Sequence, residues 1–240
     1  MSKNCLSKIS AWSLSLLLLS VSFAPGVLAL DSEAVKPLES TKMIETTAAL
    51  KEGIDYSYTA TAKKEFADKA AAGKAFIDKY LKEHADEKGH LCVVSDIDET
   101  ILDNRPFLVD KAKTAGKEVD WTGWEAWLAK AQCAPLKATV EMLKYARSKG
   151  VAVFLITGRQ EHTRRPTIQN LIDCGIAYDG LYMRKDKDKT DADIMKTEYR
   201  KALEEMGYKI LVNIGDQQSD LNGGHALCDE KLPNKMYFIK

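Results

Sequence analysis

Asp96 and Asp98 stand two residues apart, directly beyond the apolar run Leu91–Val94. In an extended segment they share a face, and two close carboxylates without compensation repel until one takes a proton. Asp216 and Asp220 form a second acidic pair after the run Ile210–Ile214, and uniting the pairs raises the cost. A hard divalent cation removes it: Mg²⁺ characteristically takes one or two carboxylates, waters and a phosphate oxygen. The first pair also permits a division of labour, one carboxylate attacking while the other handles protons. Thr157 and Gly158 follow a third run, Val151–Ile156, and offer a hydroxyl and a backbone amide to a phosphoryl oxygen. A lysine is needed to offset the remaining transition-state charge. Each fragment alone reads as an ordinary turn or capping pair; their recurrence at three strand ends carries the argument.

The elements that must hold these residues are readable from periodicity. Ala62, Phe66, Ala70, Gly73, Ile77 and Leu81 recur at helical steps, opposite a face of Lys63, Lys64, Asp68, Lys69 and Lys79. Helices are also expected over Leu136–Ser148, stopped by Gly150, and over Ile194–Met206, stopped by Gly207. Strands are expected at Leu91–Val94, Val151–Ile156, Gly180–Met183 and Ile210–Ile214, with a fifth at Met236–Ile239. Strands alternating with helices predict an α/β fold, a Rossmann-like doubly wound parallel sheet whose carboxyl edge binds the ligand. The stretch Asp31 to about Asp55 shows little period and is expected to wrap the surface. An N-terminal helical extension over about 56–88 and a small helical cap over about 103–135 complete a single domain, 30–240.

Hydrophobic residues make up 45% and charged residues 29% of the 240-residue chain, a globular balance. Lys plus Arg and Asp plus Glu both number 35, so no basic surplus points to a nucleic-acid polymer. Lys3 and Lys8, the apolar run Trp12–Ala24, and small residues at Val27 and Ala29 read as a signal peptide (1–29) cut after Ala29. The run falls short of the roughly 20 residues that span a bilayer, so an exported protein, periplasmic or secreted, is expected, with no stable membrane anchor after cleavage. Cys92, Cys133, Cys174 and Cys228 then remain, allowing three complete pairings. Export predicts at least one bridge, against the alternative of four small buried hydrophobes. Cys92 opens the first strand and Cys174 ends the helix after the second, which puts both at the edge opposite the site. Cys133 and Cys228 belong nearer the site or the flank, and any bridge is expected to respect that partition. No C-x-x-C spacing suggests zinc or redox chemistry.

The stretches SDIDETILDNRPF, FLITGR, MKTEYRKALEEMGYK and NIGDQQSDL resemble the four motifs of the haloacid dehalogenase superfamily. The likeness runs from about Tyr58 to Asp220 and is closest to its acid phosphatase branch, the bacterial class C nonspecific acid phosphatases and the plant acid phosphatase and storage group. The resemblance implies an Mg²⁺-dependent acid phosphatase acting on small phosphomonoesters, nucleotides or aryl phosphates among them, through a phospho-aspartate. It implies Asp96 as nucleophile and metal ligand, and Asp98 as general acid and base with its carbonyl on the metal. Thr157, with Gly158, would hold the phosphate; Asp216 would complete the ligands, with Asp220 acting through water or from behind. The family's lysine opens a K-x-x-x-R helix start some eleven residues before a glycine, which Lys196 fits with Arg200 and Gly207. Lys189 is the second choice, and the group Arg184–Lys189 otherwise reads as a solvated loop. Trp121, Trp124 and Trp127 share one helical face; Trp127 reads as core holding the cap. Trp124 and Phe107 are the candidates for stacking on the leaving group. His162 and His225 receive no role, and the oligomeric state stays open. A non-catalytic phosphate-ligand binding or storage protein of the same fold is the alternative; the intact Asp96 weighs against it. A dehalogenase would lack Asp98, and a phosphomutase or transport ATPase would need a large cap or membrane spans.

Overall fold

The computed structural model describes residues 47–87, 90–113 and 119–239, so the stretch expected as a signal peptide, 1–29, lies outside the described residues. In chain order come α1 (Thr47–Ser57), α2 (Ala60–Glu83), β1 (Leu91–Ser95), β2 (Leu102–Asp103), α3 (Arg105–Ala112) and α4 (Trp124–Leu128). They are followed by β3 (Ala134–Pro135), α5 (Lys137–Ser148), β4 (Ala152–Gln160), α6 (Arg164–Asp173) and β5 (Gly180–Arg184). The chain closes with α7 (Ala192–Glu205), β6 (Lys209–Gly215), α8 (Gln218–Leu221) and β7 (Cys228–Lys231).

Five strands form one sheet in the order β5-β4-β1-β6-β7, and every neighbouring pair is parallel. All five residues of β1 are buried, which is why the strand reads as a continuous apolar run. Alternate residues feed two cores. Val93, Leu155 and Leu211 pack with Ile77 of α2 and Leu143 of α5, whereas Cys92, Val94 and Phe154 pack with Leu203 of α7. The Thr59 side chain caps α2 by accepting from the Ala62 amide at 3.1 Å. Successive connections leave β1 toward β4 on one side and arrive at β6 on the other, so strand order reverses at β1. The crevice above such a reversal is where open α/β sheets bind ligands.

A second, smaller core joins what the sequence separates. Leu50 and Ile54 of α1 pack with Phe107 and Leu108 of α3, Val119, and Met236 and Tyr237 from the C-terminal segment. The segment between β2 and β3 is closed at its base by antiparallel pairing, Leu102 opposite Pro135 and Asp103 opposite Ala134. It forms the cap.

Three expectations change. Part of the stretch expected to be irregular is the helix α1; two buried anchors over barely three turns are too few for a period to show. Met236–Ile239 is not a strand: Met236, Tyr237 and Ile239 pack into the second core while Phe238 is exposed, and the fifth strand is β7, a polar edge strand paired with β6 from Val212–Cys228 to Gly215–Lys231. The four described cysteines are all free thiols, so the expected bridge is not formed. Nor does their partition hold. Asn170 of α6 donates to the Cys133 carbonyl at 2.8 Å and accepts from its amide at 3.0 Å, which draws the end of α6 to the cap base. Cys174 thereby lies beside Cys133, its thiol 3.3 Å from that carbonyl. Among the described residues no helix is long and apolar enough to cross a membrane.

Candidate active site

Asp96 follows β1 directly, and its amide donates to the Ile214 carbonyl of β6 at 3.0 Å. Asp216 follows β6, and Asp220 sits on α8. Gly215 makes the approach of Asp220 possible, because a Cβ there would collide with the Asp220 carboxylate. That carboxylate accepts the Gln217 amide at 2.8 Å, closing a capping box. Carboxylate oxygens of Asp96, Asp216 and Asp220 all lie within 4.8 Å of one another, and all three residues are buried. Lys196, 5% exposed on α7, reaches Asp96 at 2.6 Å and also pairs with Asp220. Lys189, by contrast, is exposed in the loop before α7. Arg200 donates to backbone carbonyls of Asp220 (2.6 Å) and Gly224 (2.9 Å), pinning the α8 loop to α7.

Three carboxylates against one ammonium leave two negative charges uncompensated in a dry pocket. Burial, reinforced by Asp220, pushes Asp216 up to about 6. Burial also drives Asp96 well above the carboxylate range; Lys196 opposes this, while Asp220, Asp216 and Asp98 add to it. Lys196 itself is penalised by burial, yet its two carboxylate partners hold it above an ordinary lysine. The donor set is all oxygen and two positive charges short, which fits a hard divalent cation. Asp216 is oriented on both sides, by Thr100 at 3.1 Å and by Asn234 (2.7 Å) and Gln217 (2.6 Å).

β4 runs on through the T-G-R motif, and its pairing with β5 shifts between Thr157 and Gln160. The irregularity turns the strand end, leaving Gly158 exposed between the buried Thr157 and Arg159. The Thr157 hydroxyl accepts the Arg159 amide at 3.1 Å, so its own proton is available to a ligand. The Asp98 carboxylate stands outside the acidic cluster. Arg159 grips it through Nη2 at 2.7 Å and Nε at 3.0 Å, and the Asn104 amide donates to it at 2.9 Å.

Sequence reasoning missed several residues here. Arg159 and Asn104 were visible only as letters of their motifs. Glu99 adopts a left-handed φ of 54° and accepts from the Asn104 amide at 2.8 Å and from the Tyr237 hydroxyl. Burial, with Asp98 and Asp216 nearby, raises the Glu99 carboxyl well above its usual range. Asn234 and Tyr237 lie in a C-terminal stretch that carries no motif.

In the cap, Phe107 is surrounded by Trp124 (ring centroids 5.1 Å apart), Trp121 (5.8 Å) and Trp127 (6.3 Å). Phe107 is only 7% exposed and so supports the cluster from inside, whereas Trp124 is half-buried and presents a surface.

His162 joins the cap to the loop after β5. Its Nδ1 lies 2.7 Å from Asp186 and its Nε2 3.1 Å from Glu125 of α4. Both contacts are donor-to-acceptor only when both nitrogens carry protons. Burial alone would lower the imidazole pKa, but hydrogen bonds and charge from Asp186 and Glu125 outweigh it and raise the value above 6.5. A raised folded-state pKa means that the clasp contributes fully below the unfolded value of about 6.5 and is lost as pH rises through the folded value. Amide protection factors over 121–131 should therefore hold below about pH 6.5 and fall as pH rises above it, and His162→Gln should flatten that profile. An unchanged profile in the variant would show that the clasp does not hold the cap. His225 pairs with Glu204 at 2.6 Å, away from the cluster.

Comparison with known proteins agrees with this geometry. The profile of the HAD superfamily, subfamily IIIB (Acid phosphatase), matches residues 38–240. Acid phosphatase 1 of Solanum lycopersicum is 36% identical over 151 residues, covering 61% of this chain and 58% of that protein. Vegetative storage protein 1 of Arabidopsis thaliana is 26% identical over 148 residues, covering 61% and 54%. The chain thus matches less than two thirds of the length of these plant relatives. The class C acid phosphatase from Bacillus anthracis superposes with a TM-score of 0.67 at 25% identity, covering 80% of this chain and 86% of that one. Its structure with tungstate bound aligns equally well, with a TM-score of 0.67.

Proposed function

Because the chain belongs to subfamily IIIB of the HAD superfamily, the acid phosphatases, we propose that it hydrolyses phosphomonoesters in two steps through phospho-Asp96. The observation that carries this reading is the buried set Asp96, Asp216, Asp220 and Lys196, two positive charges short at the reversal of strand order. In the first step the Asp96 carboxylate attacks phosphorus as the bond to the leaving oxygen breaks, and Asp98 gives that oxygen a proton. In the second step Asp98 takes a proton from water, which attacks phosphorus, releases inorganic phosphate and restores Asp96. Thr157 and the Gly158 amide hold phosphoryl oxygens, and Lys196 offsets the charge that spreads over them. Asp96, the Asp98 carbonyl and Asp216, with Asp220 behind, would hold Mg²⁺, which when bound would neutralise charge on the transferring group. The Bacillus anthracis relative has been seen with tungstate bound, a tetrahedral oxyanion like phosphate, which is in keeping with a protein that takes phosphoryl groups.

The substrate is a small molecule, and an aryl or nucleobase leaving group suits the Trp124 face, with Phe107 backing it. Residues 1–29 support export to the periplasm or outside the cell. A storage role, suggested by the name of the Arabidopsis relative, predicts oxyanion binding without turnover. Hydrolysis of 4-nitrophenyl phosphate separates the two. Exhaustive chelation should lower kcat by at least about a hundredfold, and Mg²⁺ should restore it. Full activity after chelation would overturn the metal assignment, and no hydrolysis with Mg²⁺ present would overturn catalysis.

A further inference from the structure

Asn104 is fully buried where the cap meets the site, and each part of its side chain is in use. Its amide nitrogen donates to Asp98 Oδ1 at 2.9 Å. Its amide oxygen accepts from the indole Nε1 of Trp127 at 2.9 Å and from the Cys133 thiol at 3.0 Å. Its backbone amide is fixed on Glu99 at 2.8 Å. The two donors decide which way the amide faces. Turned over, it would set its NH₂ against an indole N–H and a thiol, and its oxygen against a carboxylate, losing all three bonds at once. Trp127 belongs to the cap helix α4, and Cys133 lies just before β3 at the cap base. Asn104, at the near end of the cap segment and six residues beyond the acid, is thus oriented by the cap's far half.

We propose that Trp127 is a positioning residue for Asp98, acting through the Asn104 amide, so that seating the cap aligns the proton donor for the departing oxygen. The proposal rests on the reading of Asp98 as general acid. Arg159 holds Asp98 from the sheet side with Nη2 and Nε, and Asn104 holds the same oxygen from the cap side. Arg159 Nε also reaches Oδ2 at 3.2 Å, so Asn104 adds a third donor to Oδ1 and narrows the range over which the carboxyl can turn. Of Trp127, Asn104 and Asp98, only Asp98 is given a part in the reaction; the indole N–H is committed to Asn104.

A misaligned proton donor matters in proportion to how badly the leaving group needs a proton. An alkyl phosphate expels an alkoxide and needs one; 2,4-dinitrophenyl phosphate expels a stable phenolate and does not. The quantity to compare is kcat/KM, which reports attack by Asp96 and departure of the leaving group, before water enters. Trp127→Phe keeps an aromatic ring against Phe107 and removes the N–H donor along with part of the indole's volume, a packing loss that would affect both esters alike. It should lower kcat/KM for the alkyl phosphate by about tenfold, a fraction of the full contribution of an acid, and that for the dinitrophenyl ester by less than about threefold. Equal losses on both esters, or none on either, would overturn the proposal. Should Trp127→Phe not fold, Cys133→Ala withdraws the other donor and should show the same selectivity, and Cys133→Ser, which keeps a donor, should restore the wild-type ratio. Asp98→Asn is the control on the underlying reading. If it discriminates between the esters while the Asn104-linked variants do not, the acid stands and the cap linkage falls. If it does not discriminate, Asp98 is not the acid and the linkage falls with it.

Discussion

Asp96→Asn should abolish turnover, lowering kcat by at least about 10⁴-fold, while the protein still folds. A carboxamide cannot form the acyl phosphate, and no other described carboxylate stands in the same relation to Lys196 with an oxygen to spare. Asp220 meets Lys196 too, but its other oxygen is committed to the Gln217 amide. The stability effect should have the opposite sign to that of most buried substitutions. Burial and the charges of Asp220, Asp216 and Asp98 raise the folded-state pKa of Asp96 despite Lys196. An acid whose folded pKa is raised costs stability once pH climbs past its unfolded value of about 3.9, and the cost is complete above the folded value. Asparagine carries no such cost. In EDTA at neutral pH the variant should melt no lower than wild type, and the difference should shrink in acid as Asp96 takes up its proton. Retention of a tenth of wild-type kcat by a homogeneous preparation would remove Asp96 from the role of nucleophile.

The parts of this site that were legible in the sequence share a physical cause. β1, β4 and β6 are buried on both faces, so they read as apolar runs, broken only by Asn213 in β6, and the polar residues just beyond each run (past Ser95 in β1) lie at the sheet's carboxyl edge. That places Asp96, Thr157 and Asp216 without any structure. α7 was legible from its glycine stop, Gly207, which takes a φ of 88° beyond its end, while Lys196 and Arg200 stood out through the resemblance to the family's K-x-x-x-R helix start. Illegible were contacts made by polar side chains across long separations. Arg159 and Asp98 lie 61 residues apart and Tyr237 and Glu99 138 apart, and no periodicity joins them. β7 was missed for the opposite reason from that which made β1 plain: as an edge strand with Asp229 and Lys231 it shows no apolar run. Met236 and Tyr237 read as a strand because burial against α1 and the cap leaves the same mark as burial in a sheet.

Lys196→Ala should lower kcat by at least about a hundredfold, the scale of losing one preorganised oxyanion donor, whereas Lys189→Ala should stay within about threefold of wild type. The contrast follows from preorganisation. Lys196 is fixed between Asp96 and Asp220 before any phosphate arrives, so no side-chain entropy is lost when charge develops. Lys189 is solvated in an exposed loop and would have to be ordered in the transition state. Removing Lys196 also leaves three buried carboxylates with no counter-charge. Breaking a buried pair costs about 3–5 kcal/mol, so in EDTA the variant should melt well below wild type, the reverse of Asp96→Asn. Saturating Mg²⁺ should recover much of that loss, because the cation enters a site that has become more negative. The pair of melts, with and without Mg²⁺, therefore separates electrostatic loss from misfolding, which Mg²⁺ would not repair. If Lys189→Ala is the crippled variant and Lys196→Ala the active one, the cation facing the transferring phosphoryl group comes from the loop before α7, and Lys196 serves only to hold Asp96 and Asp220 together.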